Sequence, residues 1–458
     1  MVTRRQFLGF SGGAAAATAA GGAALWAGLL RDHVEEGRRL GAVPAPADGA
    51  TVAPGPVRDR RVVVVVQLGG GNDGLATLVP ADGRLRDLRP TLARPEAELL
   101  ALPGVTGWSL APELAPLVDH WNAGRLVAVE GIGMPDQSRS HFAAMDAWWT
   151  ATDGPSSAGG WLGRWLDTTE APGGPNPLRA IALGGGGPAL AGARSLPTVV
   201  LDPARFTLAA PRGCSAAALT DAFLACAAPL SKDPTVAAAQ QAFPDTVRAI
   251  EALAAARVGP AATTPSTTAP NSPAPNSIAP NDTVPGAVPS TTGAAAAPAT
   301  GPITGLLDAA AGIIEQDVGT RVVLVSANGF DTHAGQSARH TTLLADLSVG
   351  IHRFLARVAA AGRADDVVVL TTSEFGRRVA ENGSGGTDHG NASALFLAGA
   401  PVVGGRVVGE ARLAALVDGD LPVVIDARST YAAVLDWLGG PTDEVLGGSY
   451  DRLGLLRP

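Results

Sequence analysis

Residues 61–68 read RVVVVVQL, and residues 69–74 continue as GGGNDG. An unbroken run of β-branched residues, with no polar alternation, fits a strand buried on both faces, as in a parallel sheet covered by helices. The glycines that follow turn the chain tightly, so Asn72 and Asp73 stand just past the strand's carboxyl end. The pattern occurs twice more. Strand 321–326 runs into Gly329-Phe330-Asp331-Thr332-His333, and strand 367–372 runs into Ser373-Glu374-Phe375-Gly376-Arg377. Each strand therefore delivers an acidic residue past its carboxyl end, the edge at which open α/β sheets bind their ligands.

Outward from these strands, helical patterning covers residues 110–122, 140–150, 235–257, 303–318, 335–361 and 430–438. Shorter strands are expected at 126–130, 179–183, 395–398 and 422–425. Strands alternating with helices predict an α/β fold with a doubly wound, mostly parallel sheet and helices on both faces. Residues 258–302 are dominated by Ala, Pro, Thr, Ser and Asn. Their apolar bulk is too small to offset the entropy of ordering, so the stretch reads as a disordered insertion. One domain is expected over residues 58–458, interrupted there. The Gly184–Gly187 run lacks the Lys and Ser/Thr of a phosphate-binding loop and reads as a close backbone turn.

The amino-terminal stretch is an address rather than part of the fold. Thr3-Arg4-Arg5-Gln6-Phe7-Leu8 precedes a weakly apolar Gly/Ala run, which resembles a twin-arginine signal. Ala45-Pro46-Ala47 fits a small-residue cleavage site, and an uncleaved anchor stays open. Residues 1–57 are thus expected to be signal and flexible lead-in. The twin-arginine export machinery is the implied partner, and the periplasm, cell wall or exterior the destination.

Formal charge is −8, with no basic run after the signal. This argues against a nucleic-acid partner. Lys232 is the only lysine, so a bound anion is expected to meet arginine, whose planar fork suits phosphate and sulfate. Cys214 and Cys226 are the only cysteines; no CxxC pattern exists, and their pairing is left open.

Candidate chemistry gathers at the strand ends and at one glycine-rich turn, Gly385-Gly386-Thr387-Asp388-His389-Gly390. Three carboxylates converging with a His on one edge would repel one another if left unpaired. A divalent cation relieves this, and the mixture suits zinc, manganese or a similar ion. The expected metal residues are Asp73, Asp331, His333, Glu374, Asp388 and His389. Each has a plainer reading: Asp73 as a helix cap, and Glu374 as the turn partner of Arg377. Ser138-Arg139-Ser140-His141 adds hydroxyls beside a cation and an imidazole. Ser138 and Ser140 are candidate nucleophiles or caps, His141 a site residue or a ring held against nearby Trp, and Arg139 and Arg377 anion holders. His340 and His352, on the long helix, read as surface or structural residues.

Five ordered motifs carry a family resemblance: QLGGGNDGLATLVP (67–80), SRSHFAAMDAWW (138–149), GFDTHAGQSARHTTLLADL (329–347), TSEFGRRVAENGSGGTDHG (372–390) and GAPVVGGRVVGE (399–410). In this order they resemble the family called domain of unknown function 1501. That family commonly bears twin-arginine signals and is similar to the alkaline phosphatase–sulfatase superfamily. The resemblance implies an alkaline phosphatase-like fold, with Asp73 as the first-strand metal Asp, Asp331 and His333 as the Asp…His pair and His389 as the late His ligand. Glu374-Phe375 departs from the superfamily's tandem Asp-His, and neither Thr77, Ser138 nor Ser140 stands out as its nucleophile.

Two functions follow as expectations. One is a metal-dependent hydrolase of phosphate or sulfate esters, its ion zinc, manganese or calcium and its substrate a small anionic ester or an envelope polymer. The other is a non-catalytic envelope binding or assembly module that keeps the fold, with or without a structural metal. No dinucleotide fingerprint supports an oxidoreductase.

Overall fold

A computed structural model describes residues 60–136, 138–153, 159–169, 176–227, 231–232, 234–258 and 301–458. The expected signal and nearly all of the expected insertion lie outside the described residues. The first strand, β1 (Val62–Gly69), is buried along its whole length. Val62, Val64, Val66 and Leu68 enter one hydrophobic core, while Val63 and Val65 enter another. The period-two alternation of side chains thus divides one valine run between two layers.

Three short strands, β2 (Leu78–Pro80), β3 (Leu100–Ala101) and β4 (Trp108–Leu110), form a separate small sheet that the sequence did not announce. The large sheet adds β5 (Leu126–Gly133), β6 (Ala180–Leu183), β7 (Thr198–Val200), β8 (Val322–Asn328), β9 (Val367–Thr372), β10 (Ser393–Ala398), β11 (Arg406–Gly409) and β12 (Ile425–Asp426). Its order is β11-β5-β10-β9-β1-β8-β6-β7, with β12 pairing the end of β5. β1 lies between β8 and β9, parallel to both, with Val63 opposite Val322 and Val62 opposite Val367. β10 alone runs antiparallel, to β9 and to β5. The sheet is therefore mostly parallel, as expected, with one reversed strand.

Helices cover both faces. The helices used below are α1 (Gly74–Thr77), α2 (His141–Thr150), α3 (Trp161–Thr168), α4 (Ala216–Ala225), α5 (Pro234–Val258), α6 (Pro302–Glu315), α7 (Gln336–Ala360) and α8 (Ala427–Leu438). Residues of α5, α6 and α7 pack into the core with Val64, and those of α3 and α8 into the core with Val65. The expected helix at 110–122 is corrected to a 3₁₀ segment, Pro112–Leu117, followed by one helical turn, Val118–Asn122. Pro116 inside that segment cannot donate an α-helical hydrogen bond. Cys214 and Cys226 flank α4, and both are free and exposed. Gly184, Gly185 and Gly186 all take positive φ, the close turn expected there.

β5 carries a fully buried carboxyl, Glu130, and neither of its oxygens has a hydrogen-bond partner among the described residues. Burial pushes its pKa up to about 8; the Gly131 amide works against this and nearby Asp73 adds to it. The folded state therefore binds a proton that the unfolded state releases near pH 4.5. Stability from this group is full below that pH and is lost as pH rises toward 8. Glu130→Gln is expected to remove this slope and to stabilise the protein at pH 7 by on the order of 3 kcal/mol. Urea unfolding across pH 4–9 checks it; a slope unchanged in the variant would show that Glu130 is ionised in the fold.

Candidate metal centre

The loops that leave β1, β8 and β9 meet around the Arg377 side chain, which is fully buried. Its Nε donates to Gly71 O (2.8 Å) and its Nη1 to Thr387 O (2.8 Å). Its Nη2 donates to Gly70 O, to Phe330 O (3.1 Å) and to Asp331 Oδ1 (2.7 Å). One guanidinium fork thus ties three strand ends together. The backbone makes room for it. Gly70 has φ +117°, and a Cβ there would stand 2.2 Å from Asp331 N. Arg377 also lies opposite His389 in an isolated antiparallel bridge, so the loop folds back on itself and returns His389 to the same point.

Three imidazoles face Asp331 there. His333 Nε2 lies 3.2 Å and His389 Nε2 3.3 Å from Asp331 Oδ1, and the two Nε2 atoms are 2.9 Å apart. His141 Nε2 is 3.6 Å from Asp331 Oδ2. Each ring turns its other nitrogen to an oxygen: His333 Nδ1 to Asp388 Oδ1 (3.0 Å), His389 Nδ1 to Arg139 O (2.8 Å), and His141 Nδ1 to Glu374 Oε1 (2.9 Å). A backbone carbonyl can only accept, so His389 Nδ1 carries the proton. A carboxylate likewise accepts from His333 and from His141. Rings that donate from Nδ1 in this way leave their Nε2 atoms facing one another and a carboxylate, an arrangement that suits a cation. Tetrahedral bonds of about 2.0–2.1 Å place ligand atoms about 3.3 Å apart, close to the separations seen here. His141, Asp331 and His389 together could hold a metal ion, and His333 borders the same point.

The electrostatics agree. Burial pushes the Asp331 carboxyl up, but hydrogen bonding and charge from Arg377 outweigh it and hold the pKa below the ordinary value. Asp388 is lowered by hydrogen bonds from Asn382 and His333. Burial lowers the His389 pKa, against the opposing hydrogen bond to Arg139 O, and a lowered pKa favours the form that can ligate.

The remaining expected residues take different places around this point. Asp73 is buried, accepts from Ala76 N as the cap of α1, and pairs with Arg89 Nη1 at 2.7 Å. It also accepts from Gln336 Nε2. Burial alone would raise its pKa, and the Arg89 charge lowers it instead. Glu374 pairs with His141 and accepts from Gly70 N (2.7 Å) rather than meeting Arg377. The donors of Arg377 go to carbonyls and Asp331, so it is built in as a structural cation. Ser140 precedes α2 without a side-chain cap bond, and Ser138 Oγ accepts from Ser140 N. His141 reaches the cluster instead of packing among the tryptophans. His340 is buried against Asn72 Oδ1 (3.0 Å), and burial lowers its pKa to about 4. Arg89, Gln336 and Asn382 were not read from the sequence, because their partners lie far along the chain and no local pattern marks them.

Residues 293–426 match the model of the family described as "Protein of unknown function (DUF1501)". The match spans Asp331, His333, Glu374, Arg377, Asp388 and His389, and supports the family resemblance over that segment. No curated protein matches the chain. Among solved structures, the lipoteichoic acid synthase LtaP from Listeria monocytogenes is similar at 10% identity and a TM-score of 0.33, over 93% of this chain and 82% of that one. The PsFucS1 sulfatase from Pseudoalteromonas sp. is similar at 11% identity and a TM-score of 0.32, over 87% and 74%. At these values neither neighbour informs the activity.

Arg377→Met would strand four loop carbonyls and leave Asp331 without its cation. Stability is expected to fall by on the order of 3 kcal/mol, read by urea unfolding. A change under about 1 kcal/mol would mean that the loops are held by other contacts.

Proposed function

We propose that this chain is an exported, metal-dependent hydrolase of phosphate or sulfate esters, built on an alkaline phosphatase-like sheet. The observation that carries the reading is the convergence of three Nε2 atoms on Asp331, each ring fixed from behind by an oxygen acceptor. Carboxylates and carbonyls behind metal-binding imidazoles set their tautomer and raise their basicity. Three nitrogens and one carboxylate suit zinc or a similar borderline ion. Calcium, which takes six to eight oxygens, suits them poorly.

Such an ion supplies Lewis acidity to an ester oxygen and makes water acidic near neutral pH. The chain's own residues do the rest. His141, His333 and His389 present lone pairs, Asp331 presents charge, and Arg377 prevents Asp331 from turning away. Glu374 and Asp388 keep protons on the Nδ1 atoms of His141 and His333. The residues assigned to metal are thus Asp331, His333, His389 and His141. Glu374 and Asp388 act one step behind, and Asp73 acts in the framework. The substrate fits a small anionic ester or an anionic envelope polymer. The twin-arginine pathway carries folded proteins, which suits a cofactor loaded before export. Among the described residues no helix is long and apolar enough to cross a membrane.

One observation favours a second reading, a non-catalytic envelope module. Four protein donors suffice to close a tetrahedral zinc site, the mark of structural zinc.

Elemental analysis of the purified protein, beside Asp331→Ala/His389→Ala, decides first. Stoichiometric zinc or a similar ion is expected, lost in the double variant. Glu374→Gln is expected to weaken metal affinity about 10–100-fold. No bound metal after incubation with excess ions would overturn the hydrolase reading and leave an envelope module without a metal. A screen of aryl phosphate and sulfate esters then separates the two readings: turnover that disappears with the metal is hydrolysis, and full metal without turnover is the structural module.

A further inference from the structure

Asp420 has a fully buried side chain that faces two guanidinium groups. Its Oδ2 accepts from Arg139 Nη2, and its Oδ1 lies 3.3 Å from Arg378 Nε. Arg378 is anchored a second time, from Nη2 to Asp418 O at 2.6 Å. Two cations share one anion, so the trio carries one positive charge in excess. The two arginines are not equivalent. Arg378 is fastened to the 418–420 turn at two points, whereas the Arg139 side chain is 41% exposed and its guanidinium is held at Asp420 alone among the hydrogen bonds described. If Arg139 lets go, Asp420 keeps a cation and escapes the cost of a buried unpaired charge.

Arg139 also starts beside the metal centre. Its own carbonyl accepts from His389 Nδ1, and the residue two further along is His141. The backbone at this point is therefore fixed by the site, while the long side chain above it is latched to one side. The other arginine at the centre, Arg377, has its donors directed to carbonyls and Asp331.

We propose that Arg139 is the anion-recognition arm of this site, exchanging Asp420 for the oxygens of a phosphate or sulfate group bound at the His141/Asp331/His333/His389 centre while Arg378 keeps Asp420 paired. The inference rests on the metal-centre reading and adds what selects the substrate's charge. A planar fork matches two oxygens of a tetrahedral anion. The latch sets the cost of binding, since each anion must displace a carboxylate first. Asp420 is thus a competitor in cis, and weakening it tightens the grip on substrate.

The test uses zinc-loaded full-length protein with inorganic phosphate and inorganic sulfate as probes, binding read by calorimetry and metal content read on the same samples. Arg139→Gln is expected to weaken phosphate binding by roughly tenfold or more with metal content unchanged. Arg139→Lys, which keeps the charge and loses the fork, falls between the two and guards against a folding defect in the first variant. Asp420→Asn releases the latch and is expected to tighten phosphate binding, an outcome that a merely structural ion pair would not give. Unchanged phosphate affinity in Arg139→Gln, with metal retained, overturns the arm alone. Absence of metal from the wild type overturns the parent reading and the arm with it.

Discussion

The fork of Arg377 is the contact on which the site depends. A parallel sheet brings its loops to one edge, but loops leaving separate strands have no intrinsic reason to pack against one another. Here the carbonyls of Gly70, Gly71, Phe330 and Thr387 point inward and would be costly to bury without donors. A lysine could not serve them all, because a point charge on a flexible stem lacks the fixed geometry of five N–H groups. The same side chain anchors Asp331 Oδ1, so framework and candidate ligand are held by one group. The glycines at 70 and 71 follow from this. A Cβ at Gly71 would meet the Phe375 ring at 2.4 Å, and one at Gly70 would meet the Asp331 backbone.

A second web lies behind the first and stiffens it. Asp73 pairs with Arg89 and accepts from Gln336. Gln336 Oε1 in turn accepts from Thr332 and Thr387, the residues that flank Asp331, His333 and Asp388. Arg89 returns two donors to the backbone carbonyls of Val379 and Arg378. Every member is buried and partnered, the condition under which a polar network rigidifies rather than destabilises. This gives Asp73 a reason to stand after β1 without touching an ion: its charge organises the loops that do.

Much of this was legible in the sequence. The valine run at 62–66 could only be a strand covered on both sides, and the repeat of a buried strand followed by an acid at 331 and 374 located the edge. What stayed hidden has a common physical cause. Asp73, Asp331 and Glu374 look alike from the sequence, since all three follow buried strands. They are separated only by Arg89, Arg377 and His141, whose approach is set by tertiary packing. His141 was visible as a site residue, but its meeting with Asp331 depends on where α2 docks. The small sheet of β2, β3 and β4 escaped notice because two- and three-residue strands have no period to detect. The expected helix at 110–122 is helical but takes the 3₁₀ form up to Leu117, where Pro116 lacks an N–H to donate.

The reversed strand β10 explains how so much of the site comes from one stretch of chain. In a wholly parallel sheet each strand that ends at the carboxyl edge must send its chain away through a crossover helix. Because β10 runs back beside β9, the chain leaving β9 and the chain entering β10 lie at the same edge, and the residues between them need not leave it. That connection supplies Glu374, Arg377, Asp388 and His389, while β8 supplies Asp331 and His333. Two carboxylates of the reversed connection, Glu374 and Asp388, stand behind imidazoles from other loops, His141 and His333. His389, from the connection itself, is held by a carbonyl of the 138–141 segment. Each ring is thus oriented by an oxygen from a different part of the chain than its own. A ligand set cross-braced in this way keeps its geometry only when all three loops are in place, so the order of the site is a property of the folded sheet edge rather than of any one motif.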